Sequence, residues 1–217
     1  TVAVAQAAIE SGVAQVKDLN IKAYKAELAS RLNPTSTYMH FVYEQIHHTD
    51  LQRVIFAEGE EEEVIKAAMM MRDENYGTPI IVGRDAKINP IVESMGDGYS
   101  LDGIKVINAA TNPNIDKYID KLYAKLQRKG YLRRDCARMV TTVRNVFSAC
   151  MIECGDADAM VTGITKSYYN SLDDICKVIK PKKNKRIMGY SIMLSSKHNM
   201  IIADNTACEF PQSDDLV

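Results

Sequence analysis

The sequence predicts an α/β fold: strands covered by helices in two units whose sheets are parallel or mixed, preceded by a helical arm. Three observations carry this. Short, largely apolar runs at residues 54–57, 78–83, 104–107 and 159–161 read as strands, and 159–161, which shows no alternation, fits a strand covered on both faces of a parallel sheet. Segments with helical spacing of apolar residues separate them, as right-handed crossovers require. The chain has 217 residues, 46% hydrophobic and 25% charged, enough for one large or two small cores.

Charge and cysteine usage exclude several classes. Twenty-seven Lys and Arg stand against 28 Asp and Glu, a formal net charge of −1, so no global field recruits nucleic acid or an anionic membrane. No stretch is long and apolar enough for a membrane span. The five cysteines (Cys136, Cys150, Cys154, Cys176 and Cys208) are odd in number and form no CxxC pair. They read as free thiols of a reducing compartment rather than a disulfide framework or zinc site. The expected location is therefore cytoplasmic.

In chain order, the first residues do not read as a beginning. Thr1 is followed by an Ala-rich helical pattern over 2–12 that lacks the basic leader and apolar run of a signal peptide. Asp18 or Asn20 can cap a second helix through Leu32, which Asn33-Pro34 breaks, and a third runs from about Ser36 to His48. These helices offer little core of their own. Residues 1–50 are thus expected to form a connector that packs on the following domain or on one lying upstream.

Strand 54–57 opens the α/β part, with Glu58-Gly59 as a turn and a helix expected from Glu60 to Asn75. After strand 78–83, Ile88, Ile91, Val92 and Met95 suggest a short helix; strand 104–107 and a long helix over 115–130 follow. The helix 144–154 stacks Val146, Phe147, Cys150, Met151 and Cys154 on one face, and Gly155 sits where a helix end needs a left-handed residue. Helix 172–179, strand 186–195 and strand 200–203 complete the chain, with a hairpin-like turn at Lys197-His198-Asn199. The expected division is a first α/β domain over 51–143 and a second, partial one over 144–217.

Most polar clusters have a plain reading. The acids of residues 58–63 suit a helix's first turn, where the macrodipole favours them. His40, His47, His48 and His198 show no metal-ligand spacing. The cationic run from Lys177 to Arg186 reads as a solvated loop, with polyphosphate docking as its alternative. Neither a Walker A loop nor GxGxxG occurs. The loop after strand 159–161 stands apart, because ligands of open α/β sheets bind at the carboxyl ends of strands. It offers the hydroxyls of Thr162 and Thr165, the Gly163 backbone and the Lys166 cation, and Asp204 ends a later strand. Two readings stay open: a phosphate or pyrophosphate site, or a strand closed by Thr162 and Gly163 with Lys166 solvated.

Five segments, in order, add a resemblance: RVIFAEGEEEEVIKAA (53–68), TPIIVG (78–83), LQRKGYLRRDCAR (126–138), RNVFSACMIECGDADAMVTGIT (144–165) and IIADNTACEFP (201–211). Together they resemble the phosphate acetyl/butyryl transferase family over about residues 52–217. RDC at 134–136, RN at 144–145 and GDADAMVTG are similar to the version of this domain fused behind the catalytic part of bacterial NADP-dependent malic enzymes. AVAQAAIESGVAQ (3–15) resembles the end of the malic enzyme domain and its linker.

The resemblance implies a phosphotransacetylase-like, three-layer α/β/α fold akin to isocitrate and isopropylmalate dehydrogenases, C-terminally incomplete here. It implies acetyl-CoA or another acyl-CoA as ligand, with acetyl phosphate or phosphate as co-substrate of the active enzymes, and Arg144 as a further ligand-binding position. In the fused proteins such a domain is expected to sense acetyl-CoA and hold a homo-oligomer together, NADP and a divalent metal belonging to the malic enzyme domain. The Ser-Arg pair and Asp of active phosphotransacetylases would follow Val217, and Leu126 and Asp173 stand where active members carry Arg. No catalytic residue is therefore assigned. The alternative is an acyltransferase active in its full-length form.

Overall fold

The computed structural model describes residues 2–14, 24, 34–47, 49–96, 98–183, 185, 187–195, 199–203 and 207. They fall into two compact units, one of residues 1–48 with 181–217 and one of residues 49–180. The first unit begins with helices α1 (Val2–Glu10) and α2 (Pro34–His47). Pro34 opens α2 at the position where a missing N–H costs nothing. The helix expected over 18–32 lies outside the described residues, save that Tyr24 is helical.

The second unit holds a four-stranded parallel sheet: β1 (Arg53–Phe56), β2 (Thr78–Val82), β3 (Lys105–Ile107) and β4 (Ala159–Val161), in the order β3-β2-β1-β4. The chain winds outward from β1 through β2 to β3, then returns to place β4 on the other side of β1. That reversal makes the β1/β4 border a topological switch point, where a crevice opens beyond the carboxyl ends of the strands.

Period-two alternation splits the apolar side chains between two layers. Phe56 and Ile81 face one cluster, with Ile65, Ala68 and Met69 of α3 (Glu62–Asp73) and Ile88 of α4 (Asp85–Met95). Ile55, Ile80, Val82 and Ile107 face the other. There they meet Tyr118, Ile119, Leu122 and Leu126 of α5 (Ile115–Leu126), Cys136 and Val140 of α6 (Arg133–Thr142), and Val146, Phe147 and Cys150 of α7 (Arg144–Glu153). Helices thus cover both faces, the three-layer α/β/α arrangement. Phe147 packs edge-on against Tyr118, ring centroids 5.5 Å apart, and the Tyr118 hydroxyl donates to Asp156 Oδ2 at 2.8 Å.

Helix α8 (Tyr168–Cys176) follows β4, and Ser167 caps it by accepting the Asn170 N–H. Strands β5 (Tyr190–Leu194) and β6 (Asn199–Ala203) form a separate antiparallel pair. The turn expected between them falls mostly outside the described residues, as does Cys208; the other four cysteines are free thiols.

Four expectations need correction. Strand β4 is not covered on both faces: Ala159 is exposed and Val161 is 52% exposed, because β4 pairs only with β1 among the described residues. It belongs to the first sheet, so the boundary expected between 143 and 144 would cut through that one sheet rather than separate two. Helix α6 was not expected from periodicity; it starts where Asp135 Oδ2 accepts the Leu132 N–H at 3.0 Å, a local signal that spacing does not register. Helix α3 begins at Glu62, not Glu60, since Glu58 and Glu60 have tertiary partners that hold them in a turn.

Candidate functional site at the β1/β4 switch point

Two clamps fix β4 against β1. At the amino ends, the Arg53 guanidinium donates to both carboxylate oxygens of Asp158, at 2.9 and 2.7 Å, and the Arg53 N–H adds a third bond at 2.8 Å. The side-chain bond to Arg53, with its N–H and charge, holds the Asp158 carboxyl at about 2, well below the usual range.

At the carboxyl ends, Glu58 does the same for the loop. It is only 4% exposed. Its carboxylate accepts the Ile164 N–H at 2.7 Å, the Thr165 N–H at 3.1 Å and the Thr165 hydroxyl at 2.7 Å. Burial opposes its ionisation, but the Thr165 hydroxyl and the amides of Thr165, Ile164 and Gly163 outweigh it and hold its pKa below the ordinary value. Gly163 stands at φ +120°, a conformation that L side chains rarely adopt, so glycine is required there for the turn itself.

Next to this clamp, Glu60 anchors two guanidinium groups, with Lys87 Nζ farther off at 3.9 Å. Arg84 binds it with Nε at 2.8 Å and Nη2 at 3.0 Å, and Arg144 Nη2 lies 2.5 Å from its Oε2. The Arg84 hydrogen bonds, with the Arg144 charge behind them and against the opposing effect of burial, bring its pKa to about 2. Arg144 opens α7, and Asn145 follows it, 1% exposed. Thr162 donates its hydroxyl to Asn145 Oδ1 at 2.7 Å, and the buried Asn145 Nδ2 has no partner among the described residues. Lys166 Nζ reaches Asp174 at 2.9 Å, and Lys177 shares that carboxylate at 3.0 Å. Burial opposes the ionisation of Asp174; the two lysines outweigh it and hold its pKa down.

Three cavities open along this edge. One of about 200 Å³ is lined by Glu58, Thr142, Arg144, Asn145, Thr165 and Lys166. A second of about 370 Å³ runs from Arg144 past Glu60 and Arg84 to Asn108 after β3. A third of about 330 Å³ lies beside Phe56, Val161, Thr162 and Gly163. The five described candidates thus all line this edge, Arg144, Thr165 and Lys166 in one cavity and Thr162 and Gly163 in another. Asp204 lies outside the described residues.

The arrangement is rich in donors. Among the described residues no group of three or more His, Cys, Asp and Glu is placed to hold a metal ion. Burial pushes the Cys150 thiol up to about 12, far from a reactive thiolate. Glu58, Glu60, Arg84 and Asn145 were not singled out as site residues by sequence. Their available signals were the EGE turn directly after β1, the Gly-Arg after β2 and the Arg-Asn that starts α7.

Residues 38–217 match the phosphate acetyl/butaryl transferase family along their whole length. The chain belongs to this family. Relatives of this family member divide into two kinds. Over 214 residues it is 59% identical to the probable NADP-dependent malic enzyme of Rickettsia prowazekii and 37% identical to the NADP-dependent malic enzyme of Rhizobium meliloti. Each match covers 99% of this chain but 28% of the relative, so the chain spans little more than a quarter of their length. It is also 25% identical over 153 residues to a phosphate acetyltransferase of Staphylococcus aureus, covering 70% of this chain and 45% of that one. Among solved structures, the EutD phosphotransacetylase from Staphylococcus aureus superposes with a TM-score of 0.68 at 22% identity, over 76% of this chain and 49% of that one. The fold is phosphotransacetylase-like.

Proposed function

We propose that this chain is the phosphotransacetylase-like part of an NADP-dependent malic enzyme, where it binds acetyl-CoA as a regulatory and oligomerising module of a cytoplasmic protein. The observation that carries the reading is the donor-lined edge at the switch point, where Arg144, Asn145 and Lys166 surround one cavity. Phosphoryl groups are recognised by cations and oriented N–H groups of this kind. Arg144, Thr162, Gly163, Thr165 and Lys166 hold the ligand in this reading, which the identity to malic enzymes over 99% of the chain supports. Residues 1–50 then connect to the malic enzyme domain, to which NADP and a divalent metal ion belong.

The test is calorimetry of acetyl-CoA with the full-length protein and its Arg144→Ala and Lys166→Ala variants. Each substitution is expected to weaken binding by about 1–3 kcal/mol where the lost cation meets phosphate. Unchanged affinity in both, with folding intact, would move the site elsewhere, the run from Lys177 to Arg186 being next.

The second reading is acyl transfer between CoA and phosphate in the full-length chain, favoured by the match to phosphate acetyltransferases. In it a thiolate of CoA attacks the carbonyl carbon of acetyl phosphate, oriented donors stabilise the tetrahedral oxyanion, and its collapse breaks the acyl C–O bond to give acetyl-CoA and release inorganic phosphate. Formation of acetyl-CoA from acetyl phosphate and CoA by the full-length protein, saturating in both, would select this reading.

A further inference from the structure

We propose that the cleft at the corner between α5 and α6 is a docking site for an acidic segment of a protein partner, which places an apolar side chain in the cleft and carboxylates around its mouth. The cleft has a volume of about 450 Å³, larger than the three at the switch point, and is lined by Lys129, Gly130, Tyr131, Asp135, Arg138 and Met139. It takes in the first turns of α6, whereas Thr141 and Thr142 in the last turn line the Glu60 cavity. Most of a ten-residue helix, ~15 Å long, therefore separates it from the site proposed for acetyl-CoA.

Charge is concentrated on this corner. Over residues 127–139 the chain carries Arg128, Lys129, Arg133, Arg134 and Arg138 against Asp135, a local net charge of +4 in a chain whose total is −1. Arg133 is committed to the fold: its guanidinium donates to Asp120 at 2.8 Å and to Asp116 at 3.1 Å, tying α6 to α5. Arg128, Lys129 and Arg138 are exposed and pair with no acid among the described residues. Arg134, its side chain 82% exposed, comes no nearer than 4.0 Å to Asp135. Asp135 is itself occupied, since its Oδ2 accepts the Leu132 N–H at 3.0 Å. One solvated cation is ordinary; four around a concave surface sum to a positive potential that draws in acidic groups.

The cleft is not polar throughout. Tyr131, 36% exposed, lines it from the loop and Met139 from α6, and Leu132, next in sequence, is 49% exposed. An apolar centre with a charged rim, built from Tyr, Met and Arg, is the composition of a protein contact patch. The spread of the patch sets the size of the partner. A small anion in the cleft meets Lys129 and Arg138, which line it, and leaves Arg128, Arg134 and Leu132 unused; an extended chain segment meets them together. A phosphoryl group finds few free amides in this loop, because the Gly130 N–H goes to the Gln127 carbonyl at 3.1 Å and the Leu132 N–H to Asp135. The corner is also preformed. Cys136 and Val140 of α6 are fully buried and the Arg133 bridge fixes both helices, so little ordering opposes docking.

The probe is a fluorescein-labelled nonapeptide of alternating glutamate and leucine, titrated into the full-length protein and followed by anisotropy. Saturable binding is expected, weakening several-fold as salt rises from about 0.05 M to about 0.3 M. Lys129→Gln and Arg138→Gln together should lower the affinity about tenfold, and Tyr131→Ala several-fold. These side chains are exposed, so the variants should keep the fold, which circular dichroism checks. No saturable binding, equal affinity in the folded double variant, or equal affinity of a peptide with serine for each leucine overturns the proposal. Stronger binding of a single-stranded oligonucleotide or of phosphatidylserine vesicles also overturns it, in favour of that anion. Acetyl-CoA separates this site from the previous one. Its affinity should be the same in the double variant; competition between acetyl-CoA and the peptide would give the cleft to the coenzyme and overturn the docking site. Peptide binding without acetyl-CoA binding would support this site and overturn the earlier reading.

Discussion

Arg144 Nη2 lies 2.5 Å from Glu60 Oε2, tying the first turn of α7 to the turn after β1. Arg84 grips the same carboxylate from the turn after β2, so three loops at the carboxyl edge of the sheet converge on one acid whose side chain is 8% exposed. The edge is thus held by charge, where the body of the sheet is held by apolar packing.

That acid gives a pH dependence with a definite sign. The folded-state pKa of Glu60 is about 2 against an ordinary 4.5. A depressed carboxyl stabilises the fold above its unfolded pKa, and the contribution is lost as pH falls from about 4.5 towards 2. Glu60→Gln should cost about 2 kcal/mol at neutral pH by urea unfolding, with the difference from the parent narrowing across that window. A constant difference at all pH values would show that lost packing, not charge, is responsible.

Glu58→Gln tests the loop clamp. Both N–H groups go to Oε2, so a glutamine leaves them one neutral acceptor, while its NH₂ takes the place of the oxygen that accepts the Thr165 hydroxyl and the charge assistance of all three bonds is lost. Stability is expected to fall by about 1–3 kcal/mol. Hydrogen exchange at the Ile164 and Thr165 amides should speed up more than in the β1 or β2 ladders.

Gly59→Ala probes the β1 turn. A Cβ there would collide with the Ile81 side chain and lie 2.9 Å from the Val82 carbonyl oxygen, in the centre of the sheet where neither can retreat. Overpacking of this kind costs about 1–3 kcal/mol, read as a lower unfolding midpoint. A neutral Gly59→Ala would mean that the turn moves freely.

Phe147→Ala removes the ring that meets Tyr118 under α7. It is fully buried, so the loss should be about 3–5 kcal/mol. Because α7 also carries Arg144 and Asn145, this variant should weaken acetyl-CoA binding even where it remains folded.

The open side of β4 bears on assembly. Val161 is 52% exposed on a strand that pairs only with β1 among the described residues, and Ile164 and Tyr169 are exposed nearby in sequence. Proteins cover such edges by pairing or contact. Light scattering of the chain as given should report a dimer or larger species; a stable monomer at micromolar concentration would count against the oligomerising role.

The sequence by itself determined which segments are strands and helices wherever apolar periodicity runs unbroken. Runs such as 54–57 and 78–83 have few ways to bury their side chains, and Gly155 takes the left-handed conformation its position at a helix end requires, at φ +76°. It also marks the loop after β4 as the candidate for a ligand, because strand ends in α/β folds follow from local pattern. Only the tertiary structure decided that β4 joins the first sheet, since strand pairing is a long-range choice that Arg53 and Asp158, 105 residues apart, help to make. The same holds for the acids of the EGE turn. From sequence they were helix-end charges; in the fold Glu58 and Glu60 bind groups from residues 84, 144, 164 and 165. Periodicity reports which face of an element is apolar, but not which distant donor a buried carboxylate will meet. That depends on how the chain winds about β1.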